Sequence, residues 1–143
     1  MTGTIDATDT AARLRRAVTH LHRRLRQNAL GGISPAQASA LATVERLGRP
    51  SLGELAAAEQ VQPPSITRVV RDLVALEMLD RLGDPDDRRC VRVTLTARGR
   101  RELATIRQRK NASLERTLAA LSPADRSRAD RLVDLLETIV ERV

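Results

Sequence analysis

Two adjacent prolines, Pro63 and Pro64, place the strictest limit on how this chain can fold. Proline fixes φ and lacks an N–H group, so a preceding helix must end before the pair, whereas the first turn of a new helix accepts both residues. Ser51 and Glu54 have the spacing of a capping box and predict the start of the preceding helix, which we expect to end near Gln60. The sequence thus predicts two short helices joined by a tight turn.

The helix after the prolines has two chemically different faces. Its apolar residues recur at intervals of three and four and therefore share one face, at about 100° per residue, that we expect to be buried. These residues are Ile66, Val69, Val70, Leu73 and Val74. The opposite arc is small and polar, and it holds Pro64, Ser65, Thr67, Arg68, Arg71, Asp72 and Ala75. A surface of this kind can enter the groove of a duplex.

The next segment alternates between apolar and polar residues, which is typical of a β-hairpin. The predicted strands are residues 79–82 and 90–95. We expect Val91, Val93 and Leu95 to face inward, and Cys90, Arg92 and Thr94 to face outward. Between the strands, Asp84-Pro85-Asp86-Asp87 favours a turn, and Arg88 and Arg89 follow it. With the two helices, this hairpin completes the pattern of a winged helix-turn-helix, in which the hairpin is the wing.

Helices are predicted on both sides of this unit, so the fold class is mainly α with a small β-hairpin wing. An apolar stripe predicts a helix over about residues 9–29, which Gly31-Gly32 ends. The stripe consists of Leu14, Ala17, Val18, Leu21 and Leu25. Ser34-Pro35 caps a second helix that Gly48 stops. From this helix we expect Ala38, Leu41, Ala42 and Val44 to be buried.

After the wing, Thr96 can cap a long helix that extends to Ala119, and Ser122-Pro123 opens a last one. The last helix has the richest apolar face of the chain, formed by Leu132, Val133, Leu135, Leu136, Ile139, Val140 and Val143. A face of this width needs a partner, because wide apolar stripes are rarely left in water.

Composition favours a duplex nucleic acid as the partner. The net charge of +7 on 143 residues favours a polyanion. The alternative is that the arginine content reflects genome composition, because 24 of the 25 basic residues are arginine. Phe, Tyr and Trp are absent, and single-strand binders and the common RNA-recognition sheets stack bases on aromatic rings. Double-stranded DNA is therefore the expected partner.

From Ser51 to Gly99 the chain resembles the winged-helix core of the multiple-antibiotic-resistance regulator (MarR) family. The resemblance is carried by Asp84-Pro85-Asp86-Asp87-Arg88-Arg89 in the wing and by Leu95-Thr96-Ala97-Arg98-Gly99 at the entry to a long helix. It implies that Arg89 enters the minor groove, and that Ser65, Thr67 and Arg68 read the major groove. We add Pro64, Arg71 and Arg88 as expected DNA contacts.

Two positions depart from the family pattern. Many members carry an aspartate in the second helix that orients the wing arginine, but Arg71 stands here and Asp72 is displaced by one residue, about 100° around the helix. Asp72 is our candidate for wing support, through Arg88 or Arg89. The other departure is Glu77, where the family usually has glycine; glutamate fits poorly if the chain needs a positive φ there.

The resemblance implies a transcription regulator, most often a repressor, that binds DNA as a dimer. We assign residues 1–33 to an N-terminal tail and dimerisation helix, 34–99 to the DNA-binding core, and 100–143 to C-terminal dimerisation helices. Two-fold symmetry implies an inverted-repeat operator. The resemblance also implies release by a small anionic or phenolic effector, for which Arg16, His20 and Arg46 are candidate pocket residues. The alternative is a basic architectural or protein-interaction winged helix without sequence-specific regulation.

No enzyme, metal site or cofactor is predicted. His20 and His22 point about 200° apart on a helix and cannot share a metal, and no nucleophile triad, phosphate loop or cysteine pair is present. Cys90 is the only cysteine, which favours a reducing compartment. The first ten residues are expected to form a polar tail and not a signal peptide, and no apolar run is long enough to cross a membrane, so we expect a cytoplasmic protein.

Overall fold

The computed structural model describes residues 6–143, and in this part of the chain six helices surround a two-stranded antiparallel sheet. The elements are α1 Ala7–Ala29, α2 Pro35–Leu47, α3 Leu52–Glu59, α4 Pro63–Ala75, β1 Leu79–Gly83, β2 Val91–Leu95, α5 Ala97–Ala119 and α6 Pro123–Arg142. The predicted mainly helical fold with a hairpin wing is confirmed.

The helix starts follow from local capping. Ser51 and Glu54 exchange two hydrogen bonds of 3.1 Å, and Ser34 forms the same capping box with Gln37. The predicted caps at Thr96 and Ser122 also accept backbone N–H groups. Each cap satisfies donors that the first helical turn leaves without an intrahelical partner.

The predicted N-terminal tail of residues 1–10 is wrong in its second half. Residues 1–5 lie outside the described part, but α1 already begins at Ala7. The carboxylate of Asp6 accepts the N–H of Thr8 at 2.9 Å and caps the helix, so the start signal lies within the predicted tail.

The core lies where α2, α3 and α4 meet the base of the hairpin. Its fully buried side chains are Leu41, Val44, Leu55, Val70, Leu73, Leu79 and Val93. The predicted apolar face of α4 is confirmed, because Ile66, Val70 and Leu73 are buried while Val69 and Val74 pack against them. This burial fixes which face of α4 points away from the protein.

Two predicted core residues are exposed. Ala42 lies on the side of α2 that borders a cavity, and Ala40 takes the core position. Val91 is 36% exposed because it pairs with Gly83 at the outer end of the hairpin, beyond the reach of the core. The opposite end of the same register, Leu79 with Leu95, is buried.

The connection from α4 to β1 is packed against the start of α5. The Thr96 hydroxyl donates to the carbonyl of Glu77 at 2.7 Å, and the Thr96 N–H donates to the carbonyl of Met78 at 3.2 Å. Gly99 sits so close that a Cβ built on it would fall 2.2 Å from the Met78 carbonyl oxygen. Glycine is therefore required at this position of α5.

The helices nearest the two ends of the chain leave apolar side chains in water. In α1, Val18 and Leu21 are about half exposed at 48% and 51%, and no residue of α6 is buried. The exposed apolar residues of α6 are Leu132, Val133, Leu135 and Val140. Among residues 6–143, none of the helices combines the length and hydropathy that crossing a bilayer demands.

Glu77 has a φ of 59°, the left-handed conformation that disfavours a side chain with a Cβ. We expect Glu77→Gly to raise the free energy of unfolding by about 0.5–1 kcal/mol, because glycine relieves this strain at some entropic cost. Glu77→Ala is the control: it keeps the Cβ and loses the same exposed ion pair with Arg98. Chemical denaturation of both variants measures the effect, and equal stabilities would contradict it.

Candidate nucleic-acid interface

α4 presents a polar face to solvent. Ser65, Thr67, Arg68 and Arg71 are exposed, as is Pro64 in the first turn. The Thr67 hydroxyl donates to the carbonyl of Pro63 at 2.9 Å, so its oxygen is left to accept hydrogen bonds from outside the helix. Because the opposite face is buried, this surface can meet a ligand without disturbing the core.

Asp72 does not join the wing in this structure. Within residues 6–143 its ion pair is with the neighbouring Arg71, whose guanidinium lies 3.4 Å from the carboxylate. That contact partly neutralises the charge of Arg71. Wing support by Asp72 through Arg88 or Arg89 thus gains no contact from the structure, and the side chain that holds the wing is a different one.

The wing tip is organised by its aspartates. The carboxylate of Asp84 accepts the N–H of Asp86, and that of Asp87 accepts the N–H of Arg89, both at 2.9 Å. Such side-chain turns fix the backbone and leave the arginine side chains outside. Within residues 6–143, the ion pairs of the structure leave out Arg68, Arg88 and Arg89, so all three remain available for an anion.

Arg89 lies near the start of α3. Together with Asp87, Cys90 and Val91 it lines a shallow recess whose other wall is Ser51, Leu52 and Gly53. The wing tip and the helix-turn-helix therefore lie side by side, which is the juxtaposition required to contact neighbouring grooves of one duplex.

The wing is held by Arg92, for which the strand pattern predicted only an outward orientation. Its guanidinium contacts the carboxylates of Asp84 at 2.9 Å and Glu54 at 3.5 Å, and donates to the carbonyl of Arg49 at 2.9 Å. Hydrogen bonds from the Asp86 N–H and from Arg92 lower the pKa of Asp84. No local pattern indicates these contacts, because Arg49 and Arg92 are 43 residues apart along the chain.

A cavity of about 220 Å³ lies between α1, α2 and α5. Its lining consists of His22, Arg26, Pro35, Ala38, Ser39, Ala42, Leu103, Ile106, Arg107 and Lys110. Arg107 at its edge is hydrogen-bonded to Glu45 of α2, and this contact lowers the pKa of the Glu45 carboxyl. Three cations and a histidine on an aliphatic wall suit a small anion.

The predicted pocket residues Arg16, His20 and Arg46 do not line this cavity. On α1 the lining residues His22 and Arg26 are one turn apart on one face, and His20 points about 200° away from His22. Arg46 lies one turn beyond the lining residue Ala42 on α2. The cavity thus draws on the two helices of the predicted pocket at other positions, and a role of Arg16, His20 and Arg46 in effector binding stays a prediction.

Comparison with known proteins identifies the family. Residues 33–91 match the sequence model of the MarR family, and 132 residues are 34% identical to Mb0904, an uncharacterized HTH-type transcriptional regulator of Mycobacterium bovis, covering 92% of both chains. The chain belongs to the MarR family. It is therefore a DNA-binding winged helix-turn-helix transcription regulator, as the resemblance implied.

Solved structures of MarR-type regulators have the same architecture. A transcriptional regulator of Pseudomonas aeruginosa is 31% identical, with a TM-score of 0.81 over 96% of this chain and 99% of its own. MarR of Escherichia coli (20% identity, TM-score 0.73, 94% and 98% covered) shares the fold. Staphylococcus aureus MepR, solved bound to an oligodeoxyribonucleotide, also shares the fold, with 18% identity and a TM-score of 0.71 over 90% of this chain and 97% of its own.

We expect Arg89→Ala to weaken binding to duplex DNA and to lower the slope of log Kd against log salt by about 0.9, the effect of one lost phosphate contact. Arg128→Ala on α6 is the control, since it removes the same charge outside the predicted DNA-binding core of residues 34–99, which we call the reading head. Fluorescence anisotropy at several salt concentrations measures both, with thermal melting to verify folding. If Arg89→Ala bound DNA as tightly as the wild type at every salt concentration, the wing tip would not be part of the interface.

Proposed function

We propose that this MarR-family regulator represses transcription by binding an inverted-repeat operator as a homodimer. The observation that carries the proposal is the exposed polar face of α4 beside a wing tip whose arginines are free of ion pairs within residues 6–143. Pro64, Ser65, Thr67, Arg68 and Arg71 are assigned to the major groove. Arg88 and Arg89 are assigned to the adjacent minor groove, where a narrow channel of negative potential attracts arginine.

The homodimer is supported by the apolar surface at the two ends of the chain. The exposed Leu and Val side chains of α1 and α6 would leave water on pairing, and burial of each is worth about 1.5–3 kcal/mol at most. Residues 1–33 and 100–143 are thus assigned to dimerisation, and 34–99 to DNA binding. A two-fold axis would set two α4 helices about 34 Å apart, on successive major grooves.

Repression is supported by the assignment of the structural elements. Within residues 6–143, every element belongs to the reading head or to the proposed dimer contact. The direct effect of binding is therefore to block access to a promoter. The MepR structure with an oligodeoxyribonucleotide supports DNA as the partner of this fold. The cavity supports release by a small anion, because its walls come from α1 and α5 on one side and α2 of the reading head on the other.

Selection of bound sequences from a random duplex pool tests the proposal. We expect an inverted repeat with half-sites about 10 base pairs apart, bound by a dimer about 10³-fold or more tighter than random duplex. Sedimentation at the binding concentration gives the stoichiometry. Equal affinity for random and selected duplex would instead favour the architectural role, and a monomer that binds single half-sites would refute the dimer.

For the effector, we expect small organic anions to raise the melting temperature and to release DNA. Lys110→Ala should raise the anion concentration required for half of each effect about tenfold or more, because the variant lacks a charge-assisted contact within the cavity. Arg24→Ala, on an exposed side of α1, is the matched control. Thermal shift against a panel of carboxylates and phenols measures the response, and an identical response from both variants would exclude the cavity as the effector site.

A further inference from the structure

We propose that Arg92 is a positioning residue for DNA binding: it fixes the wing to the start of α3 and thereby aims the wing-tip arginines without contacting DNA itself. The inference rests on the proposed contact of Arg89 with DNA. It differs from that proposal in assigning the orientation of the wing to a side chain at its base.

Arg92 connects the wing turn to the segment around the start of α3. Its Nε donates to the carboxylate of Asp84 at the beginning of the wing turn, and its guanidinium also reaches the carbonyl of Arg49 and the carboxylate of Glu54. Arg92 and Ser51 additionally form an isolated backbone bridge, and the N–H of Val93 donates to the carbonyl of Pro50 at 3.0 Å. The side chain of Arg92 is 33% exposed.

The partners of Arg92 are themselves fixed. The second oxygen of Asp84 accepts the Asp86 N–H and so defines the turn, and the carboxylate of Glu54 accepts the Ser51 N–H and so caps α3. A rotation of the hairpin about its base would have to break contacts to both. Arg92 thus transmits the position of α3 to the turn that carries Arg88 and Arg89.

The hairpin needs such a contact because its outer half lacks a core. A two-stranded ribbon is marginal alone, and here only the inner part of the hairpin, with Leu79, Val93 and Leu95, is buried. The outer pair, Gly83 with Val91, offers little apolar surface to hold it. Asp72, paired with Arg71, does not supply the missing contact. Preorganisation of the wing lowers the entropy cost of binding, so its loss appears as weaker affinity.

The charge of Asp84 makes the inference testable by the direction in which the affinity for DNA changes. Removing a negative charge from a surface that faces DNA ordinarily strengthens binding. We expect the opposite for Asp84→Asn, because the variant keeps the oxygen that accepts the Asp86 N–H but loses the ion pair with Arg92. Asp86→Asn is the matched control: it removes the same charge from the same turn, and the contacts of Arg92 do not include Asp86.

The experiment measures Kd for a selected operator duplex, by anisotropy at several salt concentrations, for the wild type and four variants. We expect Asp84→Asn to bind about 3- to 10-fold more weakly and Asp86→Asn to bind as tightly as the wild type or more tightly. Arg92→Met should weaken binding with an unchanged salt slope, whereas Arg89→Ala should lower the slope by about 0.9. Thermal melting verifies that each variant is folded.

Each outcome of this experiment supports or overturns the inference. Equal Kd values for Asp84→Asn and Asp86→Asn would overturn it. Asp84→Asn keeps the test valid even if Arg92→Met fails to fold. A lower salt slope for Arg92→Met would make Arg92 a phosphate contact and also overturn it. If Arg89→Ala binds like the wild type, the proposed DNA contact of the wing fails instead, so the two failures are distinguishable.

Discussion

Burial of one face of α4 is the constraint on which the rest of the structure depends. Ile66, Val70 and Leu73 pack against α2 and α3, and side chains three or four residues apart on a helix necessarily share a face. Fixing these residues inward therefore fixes Ser65, Arg68 and Arg71 outward. Because the chain contains no aromatic residue, this anchoring relies on close packing of aliphatic side chains and Met78. The same aliphatic contacts give the reading head both its stability and its orientation.

Much of the fold could be predicted from sequence because its signals are local. The capping boxes at Ser34 and Ser51, the proline pair and the cap at Thr96 each act within four residues, and their structures agree with the predictions. The period of apolar residues likewise identified the buried face of α4. The misfit of Glu77 was expected from the resemblance, because the family usually has glycine at this position, and Glu77 does have a positive φ.

The errors concern residues whose environment is set by distant segments. Ala42 has the period of a core residue, but α1 and α5 leave a cavity beside it. The polar lining residues His22, Arg26, Arg107 and Lys110 come from two helices that are far apart in sequence, so no spacing reveals that they converge. Arg92 is the clearest case: as a strand residue it alternates correctly to the outside, yet its role is decided by a carbonyl and two carboxylates from elsewhere.

The close packing of Gly99 against the Met78 carbonyl has a mechanical consequence. β2 and α5 are separated by Thr96 alone, and the Thr96 N–H donates to the same carbonyl. The connection between the two elements is therefore short and held on both sides. α5 is a stiff rod of about 35 Å by its rise per residue. A small tilt at its far end would therefore be felt at the base of the hairpin, and also at the end of α4, because the Met78 N–H donates to the carbonyl of Leu73.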